Sequence, residues 1–439
     1  MDQRTEKYVS IFSKMIQKET VSYNDVKDRT KFREFHALLK ELFPSLFKVV
    51  TVEDFDGSLL LIWKGKSSEK PILLMNHHDV VEAQGEWKYP PFSGMVAEDK
   101  LWGRGTLDTK GGLFGMLMAA DELASEGFVP NVDIYFESAC TEEVGGEGAK
   151  TISEELERRG IKFNMVLDEG GMIMYEPIGG AKGLFAMVGM GEKGCAELKF
   201  TAKGNGGHAS TPEKNTPLVR LGKFMAELDS SKVFDIELSS TICEMFKRLA
   251  PSVDGFIGKV FAKPELFAPV LKAVMPKTSA TANALLQTTI AFTMAQGSEA
   301  RNVIPAEASV VGNMRVSHHQ GYASSLEAVK KIAEKYDIET EVLEPAIDSP
   351  LADYKHESFK LIEAAIDHAF DDVKTVPYVM TGASDARFMG KLCDNAYRFV
   401  PFIIDEQQLE SIHGLNENVD LSTLAPAIDF YRYIITEAK

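Results

Sequence analysis

Apolar residues three and four apart mark the start of the chain. Tyr8, Ile11, Phe12 and Ile16 fall on one side of a 3.6-residue turn, which predicts helix within residues 3–43. Two short apolar runs follow, SLLLIW at 58–63 and PILLMN at 71–76. The second is unbroken and bounded by charge, as suits a strand covered on both faces. Residues 110–126, KGGLFGMLMAADELASE, have helical spacing and stop at Gly127 and Pro130. Next come a strand at 132–140, a helix at 147–160 and a strand at 164–170. Strands alternating with helices predict a layered α/β sheet.

The texture changes near residue 190. CAELKFTAKG at 195–204 alternates in polarity, as a strand with one wet face does. A helix at 216–230 follows, then a mainly helical, irregular stretch at 232–280. Strands at 285–295, 307–316 and 338–344 enclose a helix at 322–336. Two helices on one antiparallel sheet make a two-layer α+β unit. Beyond 345–350 the α/β texture returns. The expected organisation is a discontinuous domain, residues 1–190 and 346–439, interrupted by an insert at 191–345.

Composition narrows the function. The chain has 439 residues, enough for two domains, and 44% of them are apolar. Its formal net charge of -17 speaks against nucleic-acid binding, which needs Lys and Arg to neutralise phosphates. Cys140, Cys195, Cys243 and Cys393 lie far apart with no C-x-x-C pair, which suits reduced thiols rather than a thiolate metal site. The N-terminal residues are charged throughout, without the apolar region of a signal peptide. No apolar run approaches the ~20 residues that span a bilayer. The expectation is a soluble cytoplasmic protein with a small-molecule substrate and neither nucleic acid nor membrane as partner.

The candidate chemistry sits at the ends of the expected strands, where open α/β sheets build their sites. MNHHDVV at 75–81 closes the buried strand. In His77-x-Asp79 the carboxylate can brace the imidazole and fix its tautomer for a metal. His78 is the alternative ligand, and the spacing favours His77. Asp108 lies between a Gly-containing loop and a helix start in LWGRGTLDTKGG, 101–112. TEEVGGEG at 141–148 and LDEGG at 167–171 each set two adjacent acids after a strand. Such pairs repel each other unless water or a cation intervenes. His413 supplies a late imidazole in ESIHGLNENVDL, 410–421. Carboxylate oxygens mixed with imidazole suit zinc, manganese or cobalt, and a shared carboxylate can bridge two ions.

In this order, H-x-D, G-R-G-x-x-D-x-K-G-G, E-E-x-x-G, L-D-E-G and a late His-Gly, the chain resembles the M20 metallopeptidases over about residues 7–435. WGRGTLDTKGG and VLDEGG are most similar to the carboxypeptidase S and N-acyl-amino-acid hydrolase branch. The resemblance implies a zinc-peptidase-like α/β domain with a mixed central sheet flanked by helices. It also implies an inserted α+β two-layer lid of the kind that pairs two copies into a homodimer. His77, Asp108 and Glu169 would hold one Zn2+, with Asp168 the alternative to Glu169. Asp108, Glu143 and His413 would hold the second, and Co2+ or Mn2+ could substitute. Asp79 would orient His77, and Glu142 would be the general base. A committed ligand has no free lone pair, whereas its neighbour in the loop does.

The insert carries KGNGGHASTPEKN at 203–215, in which His208 would reach the substrate carbonyl, from the other subunit in dimeric relatives. Asn302 and Arg315, in RNVIPAEASVVGNMR, would contact substrate. Arg387, in TGASDARFMG, is either a second clamp on a substrate carboxylate or a structural ion pair. The implied reaction is hydrolysis of the amide in a dipeptide or N-acyl amino acid, next to a free carboxylate. The rivals are a two-zinc aminopeptidase and a non-catalytic protein on the same fold. GMGEKG at 189–194 fits G-x-G-x-x-G, but a strand rather than a helix is expected after it, so no dinucleotide site follows. His318 and His319 adjoin a turn and are expected to be solvated. The apolar stretch 245–261 suggests a pocket for an apolar acyl group.

Overall fold

A computed structural model describes residues 2–177, 180–230 and 232–439. The N-terminal periodicity resolves into two helices, Gln3–Gln17 and Thr30–Leu42. Asp2 caps the first by accepting the Thr5 amide at 2.7 Å. The intervening residues leave the helical path and run under the site, where Val21 bridges to Val80.

The larger sheet has ten strands of mixed direction. Its order runs Val50–Phe55, Ser58–Trp63, Val132–Ala139, Ser67–His77, Met165–Asp168, Ala396–Arg398, Leu184–Glu192, Ile173–Tyr175, Ile403–Ile404, with Val373–Met380 beside Leu184–Glu192. Its centre is parallel: Ser67–His77 pairs with both Val132–Ala139 and Met165–Asp168. Side chains on these strands alternate between two cores, as a period of two requires. Leu59, Leu61, Ile72, Leu74, Ile134 and Phe136 join the helices Gln3–Gln17, Lys110–Ser125, Glu357–Ala369 and Leu424–Glu437. Leu60, Leu73, Tyr135 and Val166 meet Ile152 and Leu156 of Glu147–Arg158 on the other face. The fold is therefore α/β, with helices covering a mixed sheet.

The smaller sheet is antiparallel, in the order Thr289–Gln296, Glu307–Val316, Gly194–Lys203, Glu339–Glu344. Helices Pro217–Ser230 and Gly321–Lys335 cover one face, with Leu221, Phe224 and Val329 packed on Phe200 and Met314.

Between these elements lie the short helices Ser240–Leu249, Gly255–Phe261, Ala268–Val274 and Ala280–Leu286. They do not join the smaller sheet. Ile242, Met245, Phe246, Leu249 and Phe261 pack with Phe185, Met187 and Val376 of the larger one. The division at residues 190/191 is thus crossed by packing, and of the apolar stretch 245–261 Met245, Phe246, Leu249 and Phe261 are buried in this core while Phe256 and Ile257 are exposed. The expectation for the adjacent histidines is corrected too. His318 is largely enclosed, with its imidazole held down to about 4 by burial, and its Nε2 has no hydrogen-bond partner among the described residues. His319 Nε2 contacts the Asp235 carbonyl at 2.7 Å. No helix among the described residues is long and apolar enough to cross a membrane.

Candidate metal centre

Three parallel strands end on one edge of the larger sheet, and each delivers acids or histidine there. Ser67–His77 ends on His77, and the chain then turns so that its neighbour points the other way. His78 is buried among Phe32, Phe35 and His36, with Nδ1 2.8 Å from Ser138 Oγ. Burial holds its imidazole well below the ordinary range, so it stays neutral. Of the two histidines, only His77 faces the acids.

Asp79 is fully buried and is the hub of this edge. Its Oδ1 lies 3.4 Å from His77 Nδ1. Its two oxygens also accept the amides of Glu142 (3.2 Å) and Glu143 (3.1 Å), and Ser22 Oγ donates to Oδ2 at 2.7 Å. His77 Nδ1 is closer still to the Asp79 carbonyl, at 2.9 Å, so Asp79 holds the imidazole through its backbone and the acidic turn Glu142–Val144 through its carboxylate.

Asp108 is presented by the loop before helix Lys110–Ser125, through a cis peptide to Thr109. The residues after it explain the K-G-G motif. A Cβ on Gly111 would collide with the Thr106 carbonyl, and one on Gly112 with Asn76 Oδ1. Lys110 is buried, donates to the Lys18 carbonyl at 2.6 Å and so closes the C-terminus of the first helix. Burial brings its ammonium down to about 7.

Sequence reading missed what holds this loop. Glu417, wholly buried, accepts the amides of Gly105 (3.0 Å), Leu107 (2.7 Å) and Asp108 (3.1 Å), and pairs with Arg104 at 2.7 Å. Arg104 also donates to the Gly414 carbonyl at 2.7 Å. Strand Asn418–Asp420 pairs with Lys100–Trp102. The segment carrying His413 is thereby tied to the segment carrying Asp108. Its only sequence signal was an acid between Asn416 and the short strand Asn418–Asp420.

These supports bring the side chains together. His77 Nε2 is 3.0 Å from Asp108 Oδ1. His413 Nε2 is 2.9 Å from Asp108 Oδ2 and 3.1 Å from Glu143 Oε2. Asp108 thus faces a different histidine with each oxygen. His77, Asp108 and Glu143 each offer a ligand atom within 4.8 Å of the others. Asp168, the alternative to Glu169, is spent on structure: its oxygens accept the amides of Glu169 (2.8 Å) and Ala386 (2.7 Å). Glu169 is free of that role, and Asp108, His77 and Glu142 all act on its charge.

The electrostatics describe a site short of positive charge. Burial drives Glu169 well above the usual carboxylate range, and Asp168 and Asp108 add repulsion. Burial raises Glu142 likewise, against the pull of His77 and with Asp385 and Glu143 adding to it. Burial raises Glu143 as well, and its Oε1 is buried without a hydrogen-bond partner among the described residues. His413 is pushed up to about 10 by its bonds to Asp108 and Glu143. An orphaned carboxylate oxygen among crowded acids and two imidazoles is the donor set that divalent cations complete.

Arg387 lies beside this cluster, with Nη1 3.5 Å from Glu142 Oε1 and 2.7 Å from the Ser384 carbonyl. Two further acids went unnoticed in the sequence. Glu137 and Asp385 are buried with no hydrogen bond to either carboxylate oxygen among the described residues, Arg387 Nη2 lies 3.8 Å from Asp385 Oδ1, and burial lifts Asp385 to about 7. Glu137 had a readable signal, a lone acid inside an apolar strand. The residues of the smaller unit stand apart. His208 is exposed and bonds Ser210 Oγ at 2.7 Å, and the Asn302 carbonyl accepts the Ala209 amide. Arg315 donates to Asn313 at 3.0 Å. None of the three contacts the cluster among the described residues.

Residues 73–437 match the peptidase family M20/M25/M40. The chain is 30% identical to "Probable carboxypeptidase S-like 2" of Dictyostelium discoideum over 440 residues, covering 96% of this chain and 83% of that protein. It is 30% identical over 434 residues to "N-fatty-acyl-amino acid synthase/hydrolase PM20D1" of Homo sapiens, covering 96% of this chain and 86% of that protein. Its fold is similar to the M20 family metallo-carboxypeptidase Sso-CP2 from Sulfolobus solfataricus, with a TM-score of 0.74, 19% identity and 99% of each chain covered.

Proposed function

The chain belongs to peptidase family M20/M25/M40 and is a hydrolase of peptide or amide bonds, and from that premise we propose that it cleaves the amide of dipeptides or N-acyl amino acids beside a free carboxylate. The observation carrying this reading is the two-histidine, multi-carboxylate cluster with Glu142 and Arg387 at its rim. Carboxypeptidase and N-fatty-acyl-amino acid hydrolase, the names of the similar proteins, share one substrate feature, an acylated amino acid with its carboxylate free.

In this reading His77, Asp108 and Glu169 would hold one zinc ion, and Asp108, Glu143 and His413 the other. Divalent cations bound there supply Lewis acidity at the scissile carbonyl and acidify the attacking water. The chain's own residues do the rest. Glu142 takes the water proton and returns it to the leaving nitrogen, so its charge is restored each turnover. Arg387 offers a planar fork to the substrate carboxylate. Asn302 and Arg315 bind substrate, and His208 stabilises the oxyanion; its exposure suits reaching a second copy in a homodimer.

The test is a panel of N-acyl amino acids, dipeptides and N-terminally blocked peptides, assayed with zinc, cobalt or manganese and with product identification. Hydrolysis of blocked substrates that release a free amino acid supports the proposal. Cleavage confined to peptides with a free amino end would favour an aminopeptidase, and no metal-dependent turnover would favour a non-catalytic role. His413→Ala is expected to lower bound metal to about one equivalent while leaving the His77 side loaded. Elemental analysis at matched protein concentration checks this, and unchanged metal content would remove His413 from the ligand set.

A further inference from the structure

The helices between Ser240 and Leu286 carry an apolar surface that faces outward. In Ala268–Val274 apolar residues face outward as well as inward. Pro269, Val270, Ala273 and Val274 lie on one face and are exposed, while Leu271 alone is buried. In Gly255–Phe261 the buried face is Gly258 and Phe261, and Phe256 and Ile257 point away from it. Phe256 and Leu266 are 70% and 71% exposed, too open to be lining a groove. Phe256 meets Phe267 edge-to-face at 6.1 Å, which joins the two helices into one patch. Single exposed apolar residues need no explanation, but a contiguous set does.

The charge around the patch is the reverse of the chain's. The protein carries a net -17, yet residues 255–280 hold Lys259, Lys263, Lys272 and Lys277 against one acid, Glu265. Glu265 is already paired with Lys247, and the neighbouring Asp254 with Lys182. None of the four lysines forms an ion pair among the described residues. Two-fold pairing of this patch with its own copy would set lysine against lysine. Protruding Phe, Leu and Val beside unpaired lysines are the composition that lies in the interface of an anionic bilayer.

We propose that the 255–277 helices dock the protein peripherally on an anionic lipid surface. Phe256, Leu266 and Val270 enter the headgroup boundary, and the lysines select negatively charged lipid. This goes beyond the proposed hydrolysis and does not depend on it. It also narrows the expectation of no membrane partner, which rested on the lack of a spanning segment; interfacial docking needs none.

The experiment is co-sedimentation of the full chain with vesicles of phosphatidylcholine alone and of phosphatidylcholine mixed with phosphatidylglycerol. Expected is binding to the mixed vesicles that weakens with added salt. L266D/V270D and K259E/K263E should each weaken it about tenfold or more. Both variants alter exposed side chains and should keep wild-type melting temperature and turnover of a short soluble substrate. The proposal is overturned if the wild type ignores anionic vesicles at low salt, or if both variants bind them like the wild type. It is also overturned if L266D/V270D abolishes a concentration-dependent dimer while vesicle binding is unchanged, which would make a second copy the occupant.

Discussion

Glu142→Gln should reduce turnover by about three orders of magnitude or more with bound metal unchanged. The substitution keeps the shape of the side chain and the amide that donates to Asp79, so the acidic turn stays in place. What it removes is a carboxylate able to hold a proton between water and leaving nitrogen. Burial pushes Glu142 above its ordinary range, and cations bound beside it act in the opposite direction by favouring the carboxylate. A base acts only when ionised, so activity is lost as pH falls and Glu142 is protonated. Any residual activity of the variant should lack that acid limb. Steady-state kinetics with elemental analysis decides between roles. Near-normal kcat would dismiss Glu142 as the base, and loss of metal would make it a ligand instead.

The second large effect is on stability. Glu417→Gln should lower the unfolding free energy by about 3–5 kcal/mol, because it leaves Arg104 charged and buried without its partner. Both side chains are essentially excluded from solvent. Denaturant unfolding measures this directly, and a loss under about 1 kcal/mol would show that water reaches the pair. Arg104→Met with Glu417→Leu separates two consequences. Removing both charges relieves the unpaired arginine but should recover only part of the stability, because the amides of Gly105, Leu107 and Asp108 lose their acceptor. Metal affinity should be weakened too, since those amides hold the Asp108 loop. Titration of the metal-free double variant with zinc, at a temperature where it remains folded, reads that loss.

The strand ends could be read from the sequence because a buried parallel strand is an apolar run and the acid after it is conspicuous. His77 and Glu143 belong to this class, whereas Asp108 precedes a helix and His413 follows one, and the structure gathers the four within hydrogen-bonding distance. Helices such as Lys110–Ser125 and Glu147–Arg158 were legible through spacing and glycine stops. Periodicity names an element but not its neighbour. The spacing over 232–280 predicts helix, as found, although the last helix runs to Leu286 where a strand is expected from 285; the packing of these helices on Leu184–Glu192 and Val373–Met380 does not show in the spacing. Ala396–Arg398 is three residues long and still lies in the interior of the larger sheet, too short to show a pattern. Glu417 and Asp385 were invisible for another reason. An acid that serves backbone amides, or sits beneath a cluster, looks like any surface acid until its surroundings are known.

Asp79 carries a consequence for how this scaffold can be altered. A single shielded residue holds an imidazole through its carbonyl and two successive amides through its carboxylate, so the groups they carry are held as one block. Laboratory selection for new specificity would find little room there, because any change at the anchor disables three groups together. Adaptive variation has its freedom at the periphery, in the exposed segment around His208, which can be remodelled while the anchored block stays intact.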